Sequence, residues 1–533
     1  MNEHDKCVNA VINELERGDF VGRIWRRDHT VWSSEAEEVI HGVEWLNAID
    51  KMSGLSADLK DFAKNIVEDG FDQVVILGMG GSSLGAETIH KTFGSKTGFA
   101  DLSVLDSTIP ESIKSMSSKL DIGKTLFVVS SKSGTTLEPM LFYEFFKNQL
   151  SICDNQIQGS NFIAITDHES PLAKLAVKDQ FRKIFLNPAD VCGRYSVLTY
   201  FGLVPAALVG VDMEQILNRA ADMYKKCGEV DSIQNNPGAM LGAFFIGMHG
   251  EGRDKLTLLT SPAIDSFGFW AEQLVAESTG KDGTGIVPIV GEPLIDLENY
   301  GSDRFFVYVR LEDDDNQHLD EVVSRIQSKG LPIIKLSMAD KYDIGAEFYR
   351  WEFATALACG MMGVNAFNQP NVQRSKEEIV SVLNEYLTSG KSPELGAEGS
   401  FQSLMQMSSG GEYLAIMVYL EQTPELDRTL GEFRKNITDR YGIATTVGYG
   451  PRFLHSTGQL HKGGPESGLY LQLVSQSSQD VDIPGRGYGF GTVAQSQSLG
   501  DFRHLRSLGR HAVRVEVSQV GSETILDGNS YKF

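Results

Sequence analysis

The chain has 533 residues, 41% of them hydrophobic, and 48 basic against 71 acidic side chains give a net charge of -23. That length suits two or three domains, and no apolar run reaches the roughly 18–20 residues of a membrane span. The charge disfavours nucleic acid and acidic membranes as partners, so an anionic substrate must be held by local donors against a repulsive field.

In chain order, residues 1–66 read as a helical segment whose Trp25, Trp32 and Trp45 are expected to pack on the body. The first twenty residues carry Glu3, Asp5, Glu14 and Glu16 and no apolar core, so no secretory leader is visible. Cys7, Cys153, Cys192, Cys227 and Cys359 are scattered with no C-x-x-C pair and read as reduced thiols of the cytoplasm. Residues 67–230 read as a first α/β unit, with strands at 74–77, 102–105, 126–129 and 162–166 and helices near 86–93, 137–150 and 171–177. Residues 231–390 read as a second, with strands at 256–260, 286–289, 305–311 and 333–336 and helices at 266–277, 319–328 and 347–360. Such alternation predicts mainly parallel sheets covered on both faces. Residues 391–411, rich in Gly, Ser, Pro and Gln, read as a linker. Residues 412–533 read as a smaller C-terminal α/β region with strands at 413–419, 469–474 and 512–517 and a frayed end.

Two of these strands run into loops of small, hydroxyl-bearing residues. Val74-Val75-Ile76-Leu77 enters Gly78-Met79-Gly80-Gly81-Ser82-Ser83-Leu84-Gly85, and Leu126-Phe127-Val128-Val129 enters Ser130-Ser131-Lys132-Ser133-Gly134-Thr135-Thr136. Each leads into a helix, whose free N–H groups and partial positive charge suit an anion. The first loop is not a dinucleotide fingerprint, because Ser83 stands where the third glycine belongs, and no Gly-Lys-Ser/Thr makes it a P-loop. The second carries five hydroxyls in seven residues and one cation, more than a turn and a cap require. Together they point to a phosphate monoester.

Three further motifs are modest when taken singly. Arg194, in Gly193-Arg194-Tyr195-Ser196 before an apolar helix at 197–209, reads alone as a surface or capping residue. Gln273 and Glu277 lie four apart on one helix face; alone, Glu277 is a surface glutamate, whereas buried it suits a base. Asn365–Lys376 is a polar turn entering a helix through Pro370. The sequence has no histidine or cysteine spacing of a metal site and no G-x-S-x-G elbow.

In order, Gly-x-Gly-Gly-Ser-x-Leu-Gly, Ser-Lys-x-x-x-Thr, Gly-Arg-Tyr-Ser, Gln-x-x-x-Glu-Ser and Phe-x-Gln-x-x-Val ending in Lys resemble the phosphoglucose isomerase family over about 70–380. Tyr449–Gly464 resembles the tail of the isomerase half of transaldolase/phosphoglucose isomerase fusions; the residues before the first unit are too few for a transaldolase barrel of ~250 residues. The resemblance implies tandem sugar-isomerase (SIS-type) domains, a cytoplasmic homodimer with sites near its interface, and no metal or redox cofactor. It implies that Gly81 and Ser82 line the sugar site, that Ser131, Ser133 and Thr136 hold the phosphate beside Lys132, and that Arg194 stabilises charge. Glu277 would be the base with Gln273 near it, and Gln369 and Lys376 would approach from the far side, Lys376 assisting ring opening. The implied reaction interconverts glucose 6-phosphate and fructose 6-phosphate in glycolysis and gluconeogenesis. The alternatives are a non-catalytic sugar-phosphate-binding regulator and an isomerase of another sugar phosphate such as mannose 6-phosphate.

The chain departs from the family pattern twice. The ring-opening histidine usual about thirty residues after the base is missing, leaving His318 and His461 as substitutes to weigh. Asn371-Val372-Gln373 also replaces a common Gly-Val-Glu whose expected role is structural.

Overall fold

Parallel pairing organises the chain three times over. The computed structural model describes residues 3–153, 159–228, 232–390, 397–475 and 479–517. The first sheet holds β1 (Gln73–Gly78), β2 (Asp101–Leu105), β3 (Thr125–Ser130), β4 (Phe162–Thr166) and β5 (Lys183–Leu186), in the order β2-β1-β3-β4-β5. The second holds β6 (Lys255–Thr260), β7 (Val287–Ile289), β8 (Arg304–Leu311) and β9 (Ile333–Met338), in the order β7-β6-β8-β9. The third holds β10 (Tyr413–Tyr419), β11 (Ala444–Tyr449), β12 (Gly468–Val474) and β13 (His511–Glu516), in the order β11-β10-β12-β13. Among the described residues every strand pairing within these three sheets is parallel.

All three sheets share one rule: the unit's second strand lies outside its first, and the third strand turns to the other side. The reversal leaves a crevice at the carboxyl ends of the first and third strands, where ligands of such folds bind. The C-terminal stretch is therefore a third unit of the same design rather than a minor appendage. Its β11 and the first sheet's β5 were not legible as strands because both are edges. β5 buries only Phe185, with Lys183 exposed and Ile184 and Leu186 half-buried, and β11 ends in the half-buried Val447, Gly448 and Tyr449, so neither shows a full apolar run.

The described part of the stretch read as a linker also folds. Ser400 caps a short helix, Phe401–Met405, through a capping box with Ser403. Phe401, Leu404 and Met405 pack beneath Leu414, Ile416 and Leu471 of the third sheet. The polar neighbours hide three apolar anchors in the sequence. Residues 391–396 and the end read as frayed, 518–533, lie outside the described residues.

The N-terminal helices brace the body as expected. Trp45 is fully buried, its ring 5.3 Å from that of Tyr195 and 5.6 Å from that of Tyr349. Trp32 Nε1 donates to the Ala356 carbonyl at 2.7 Å and Trp25 Nε1 to that of Cys227 at 2.9 Å. Ala356 lies in the Ile344–Met362 helix and Cys227 ends the Met213–Lys226 helix packed on it, so the segment is tied by directed bonds as well as by area. Among the described residues no helix is long and apolar enough to cross a membrane.

Leu404→Ala is expected to destabilise the third unit by about 2–5 kcal/mol, the cost of a large-to-small change in a packed core, seen as an earlier urea transition. A shift below about 0.5 kcal/mol, as at a surface position, would return 401–405 to the status of a linker.

Candidate active site

The two hydroxyl-rich loops meet at the switch point of the first sheet. Gly78, the last residue of β1, is in register with Ser130, the last of β3, and Ser130 Oγ donates to the Ser82 carbonyl at 2.7 Å. Gly81 lies so close to the next motif that a Cβ would stand 2.1 Å from the Gly193 carbonyl oxygen. Gly80 has φ +55°, and its Cβ would meet the His455 carbonyl at 2.6 Å. Both positions require glycine, for close approach and, at Gly80, for left-handed backbone as well.

The second loop is fastened by β4: Ser131 N donates to the Ile165 carbonyl at 3.1 Å, and Thr166 Oγ1 to that of Lys132 at 3.2 Å. Ser131 Oγ lies 3.1 Å from Thr136 Oγ1 and Ser133 Oγ 2.8 Å from Thr135 Oγ1, so the hydroxyls cluster just before the Leu137–Cys153 helix. Lys132 Nζ is 2.7 Å from Asp167 Oδ2, both side chains half-buried.

Arg194 and Glu277 are brought together in the interior. Arg194 is 3% exposed and Glu277 7%. The Arg194 guanidinium donates through Nη1 to Glu277 Oε1 at 2.8 Å, through Nε to Ser278 Oγ at 2.8 Å, and through Nη2 to the carbonyls of Asn368, at 3.0 Å, and Ala366. Burial works against its charge, but the adjacent Glu277 carboxylate wins and holds it more firmly protonated than a free arginine. Glu277 Oε2 accepts from Gln273 Nε2 at 3.0 Å, as the four-residue spacing predicts. Both residues lie on the Phe267–Thr279 helix that follows β6, buried along nearly its whole length. Beyond its end, Lys281 Nζ donates to the Ser278 carbonyl at 3.0 Å and to that of Asn365, fixing the same 365–368 turn that Arg194 grips. Burial pulls the Lys281 ammonium down to about 7.

The third unit closes the site. Gln273 Nε2 also donates to the His455 carbonyl at 2.8 Å, and the half-buried His455 imidazole places Nε2 3.1 Å from Glu138 Oε1. Glu138 accepts a second bond from Gln497 Nε2 at 2.7 Å, and Gln497 Oε1 accepts from Thr108 Oγ1 at 2.6 Å. Burial raises the Glu138 carboxyl, yet the His455 contact outweighs it and leaves the group below its ordinary value. Gln459 bridges the Gly280 carbonyl, at 3.0 Å, and Asn371, through its side chain at 2.8 Å and its backbone N–H at 3.1 Å. It thereby ties the Pro370–Ser389 helix to the end of the helix that carries Glu277.

Gln369 and Lys376 stand at the start of that Pro370–Ser389 helix and are both exposed, outside the buried cluster, although the Lys376 charge reaches Glu138. The two histidines weighed for ring opening are elsewhere. His318 is exposed in the first turn of the Gln317–Ser328 helix. His461 is buried between the rings of Phe453 and Tyr470, and among the described residues neither nitrogen has a hydrogen-bond partner. Sequence reasoning passed over His455 and Glu138. Glu138 carried one signal, two residues beyond the hydroxyl loop; His455 had none beyond its place in the tail motif. Among the described residues no group of His, Cys, Asp and Glu could hold a metal ion.

Comparison with known proteins places this arrangement. The profile of the family described as phosphoglucose isomerase matches residues 21–287, a span holding both loops, Arg194, Gln273 and Glu277. A glucose-6-phosphate isomerase of Prochlorococcus marinus (strain NATL2A) is 30% identical over 420 residues, covering 71% of this chain and 78% of that protein. Two solved structures share the fold. A hypothetical protein from Thermus thermophilus has TM-score 0.59 and 20% identity, covering 72% of this chain and 99% of that one. A glucose-6-phosphate isomerase from Chlamydia trachomatis has TM-score 0.56 and 17% identity, covering 72% and 87%.

Proposed function

This chain belongs to the phosphoglucose isomerase family, and we propose that it interconverts glucose 6-phosphate and fructose 6-phosphate through an enediolate. The observation that carries the reading is the buried Glu277 carboxylate, held at one oxygen by Arg194 and at the other by Gln273. An aldose–ketose isomerisation needs one base that takes the proton from C2 and returns it to C1, and a rigid carboxylate between two donors can serve both carbons. Of the five N–H donors of Arg194, four are engaged with Glu277, Ser278, Ala366 and Asn368. The guanidinium is therefore pre-aimed, with one Nη1 hydrogen left to meet the oxyanion as charge develops there. A regulator that only bound a sugar phosphate would have no use for this pair.

Ser131, Ser133 and Thr136, with the free N–H groups of the Leu137–Cys153 helix, hold the phosphate, and Lys132 adds charge beside it. The phosphate contributes binding remote from the reacting carbons and so orients them. Gly81 and Ser82 shape the sugar side. His455 takes the part left open by the missing histidine: its imidazole, aligned by the Glu138 carboxylate, exchanges the proton of the ring oxygen, and Lys376 assists from the Pro370–Ser389 helix. Two copies in the cytoplasm, serving glycolysis and gluconeogenesis, are the setting the family implies.

Glu277→Gln is expected to lower kcat by about 10²–10⁴-fold, the range for loss of a general base, while a sugar-phosphate analogue still binds; unchanged turnover would remove Glu277 as the base. Combining Ser131→Ala with Thr136→Ala should raise KM several-fold with a smaller effect on kcat, and an unaffected KM would move the phosphate elsewhere. For His455→Ala, turnover of ring-closed substrate should fall while exchange of the C2 proton from open-chain substrate continues. Equal loss of both would make His455 a structural residue only.

A further inference from the structure

A cavity of about 310 Å³ opens where the three units meet, outside the ends of β10 and β11. It is separate from the site above. Glu272, which lines it, precedes Gln273 and so points about 100° away around the helix. Its volume is that of a small-molecule pocket, and Phe269, Leu430, Val447 and Phe453 supply apolar wall.

Two buried groups in this cavity lack an opposite charge in contact. Glu272 is 7% exposed and, among the described residues, its carboxyl makes no hydrogen bond or ion pair. Arg434 is 5% exposed, and its four hydrogen bonds go to Thr445 Oγ1 and the carbonyls of Gly291, Val290 and Thr445, none to a carboxylate. One Nη1 hydrogen remains. The other charges at the wall are satisfied: Lys91 is 2.8 Å from Glu87, Arg452 is 2.6 Å from Asp106 and 3.1 Å from Glu87, and the exposed Asp427 accepts from Tyr449 Oη at 2.6 Å. Burial pushes Glu272 up to about 8 and pulls Arg434 down to about 10, each toward its neutral form; the charges of Arg434 and Arg452 on the first, and of Glu292 and Glu272 on the second, none in ion-pair contact, offset only part of that cost.

We propose that this cavity is a second ligand site, built for a small zwitterion of the α-amino-acid type with an apolar side chain, its ammonium on Glu272 and its carboxylate on Arg434. One such molecule supplies both missing counter-charges and covers the apolar wall. Its seat touches the isomerase machinery at two points: Glu272 adjoins Gln273, and Arg452, Phe453 and Ser456 of the wall flank His455 in the loop after β11.

The test is binding, measured on the full-length chain by calorimetry with L-leucine, L-isoleucine, L-methionine and L-phenylalanine, and with isoamylamine and 4-methylpentanoate as single-charge relatives of leucine. At least one amino acid should bind, and each single-charge relative should bind about tenfold or more weakly than leucine, since a charged hydrogen bond is lost. Glu272→Gln should weaken the bound amino acid to a similar extent. Gly431→Leu serves as the second variant: Gly431 lines the cavity, and its added Cβ would meet nothing nearer than Pro293 Cγ at 3.9 Å, so the side chain fills the space with the fold kept. It should abolish binding while isomerase turnover remains. Absence of binding by all four amino acids, equal binding of the single-charge relatives, or unchanged binding in both variants would each overturn the proposal. None of these outcomes bears on the isomerase reading, which is measured by turnover.

Discussion

The structure depends on keeping one guanidinium charged in the interior. Taking Arg194 out of water is costly, and breaking such a buried pair typically costs about 3–5 kcal/mol. Much of the surrounding chain answers that demand. Glu277 and Ser278 come from the helix after β6, the carbonyls of Ala366 and Asn368 from a turn more than 170 residues away along the chain, and Tyr195 leans on Trp45 of the N-terminal helices. The same bonds that satisfy Arg194 fix the carboxylate beside it. Stability and alignment are one arrangement here, because a carboxylate that serves as the counter-ion cannot drift without exposing the charge it neutralises.

The third unit extends this logic. It shares the strand order of the other two, yet its contribution to the Arg194 site comes from segments beyond its strands' ends. His455, Gln459 and Gln497 reach Gln273, Asn371 and Glu138 respectively, so the Phe267–Thr279, Pro370–Ser389 and Leu137–Cys153 helices are all held from one side. A polar network of this kind is strong only when every member is satisfied, and Glu138 shows it: buried, but with two donors on one oxygen and a carboxyl held below its ordinary range.

Most of the fold was legible because buried parallel strands write themselves as apolar runs and helices as periodic ones. β5 and β11 escaped because edge strands need bury only part of their faces, and the Phe401–Met405 helix escaped because three anchors sat among serines and glutamines. The site divided along a similar line. The Gln273–Glu277 spacing is local, so the helix delivers it directly. The His455–Glu138 contact joins residues 317 apart, and no spacing rule can express a meeting that the docking of two units decides. His461 illustrates the converse: a histidine within the tail motif that the third unit uses to pad its own core between Phe453 and Tyr470.

The three matching sheets bear on how the protein comes into being. Each unit's strands are consecutive in the chain, so each can pair its own sheet as it leaves the ribosome, in the manner of domains that fold as units. Glu277, Arg194 and the hydroxyl loop are all made before residue 280, but the side chain that engages Glu138 is residue 455 and the glutamine beside it is 497. A nascent chain carrying the first two units thus holds the Arg194–Glu277 pair and both hydroxyl-rich loops, and still lacks the contacts that the third unit makes to Gln273 and Glu138. On the function proposed above, turnover waits for the third unit to emerge and dock.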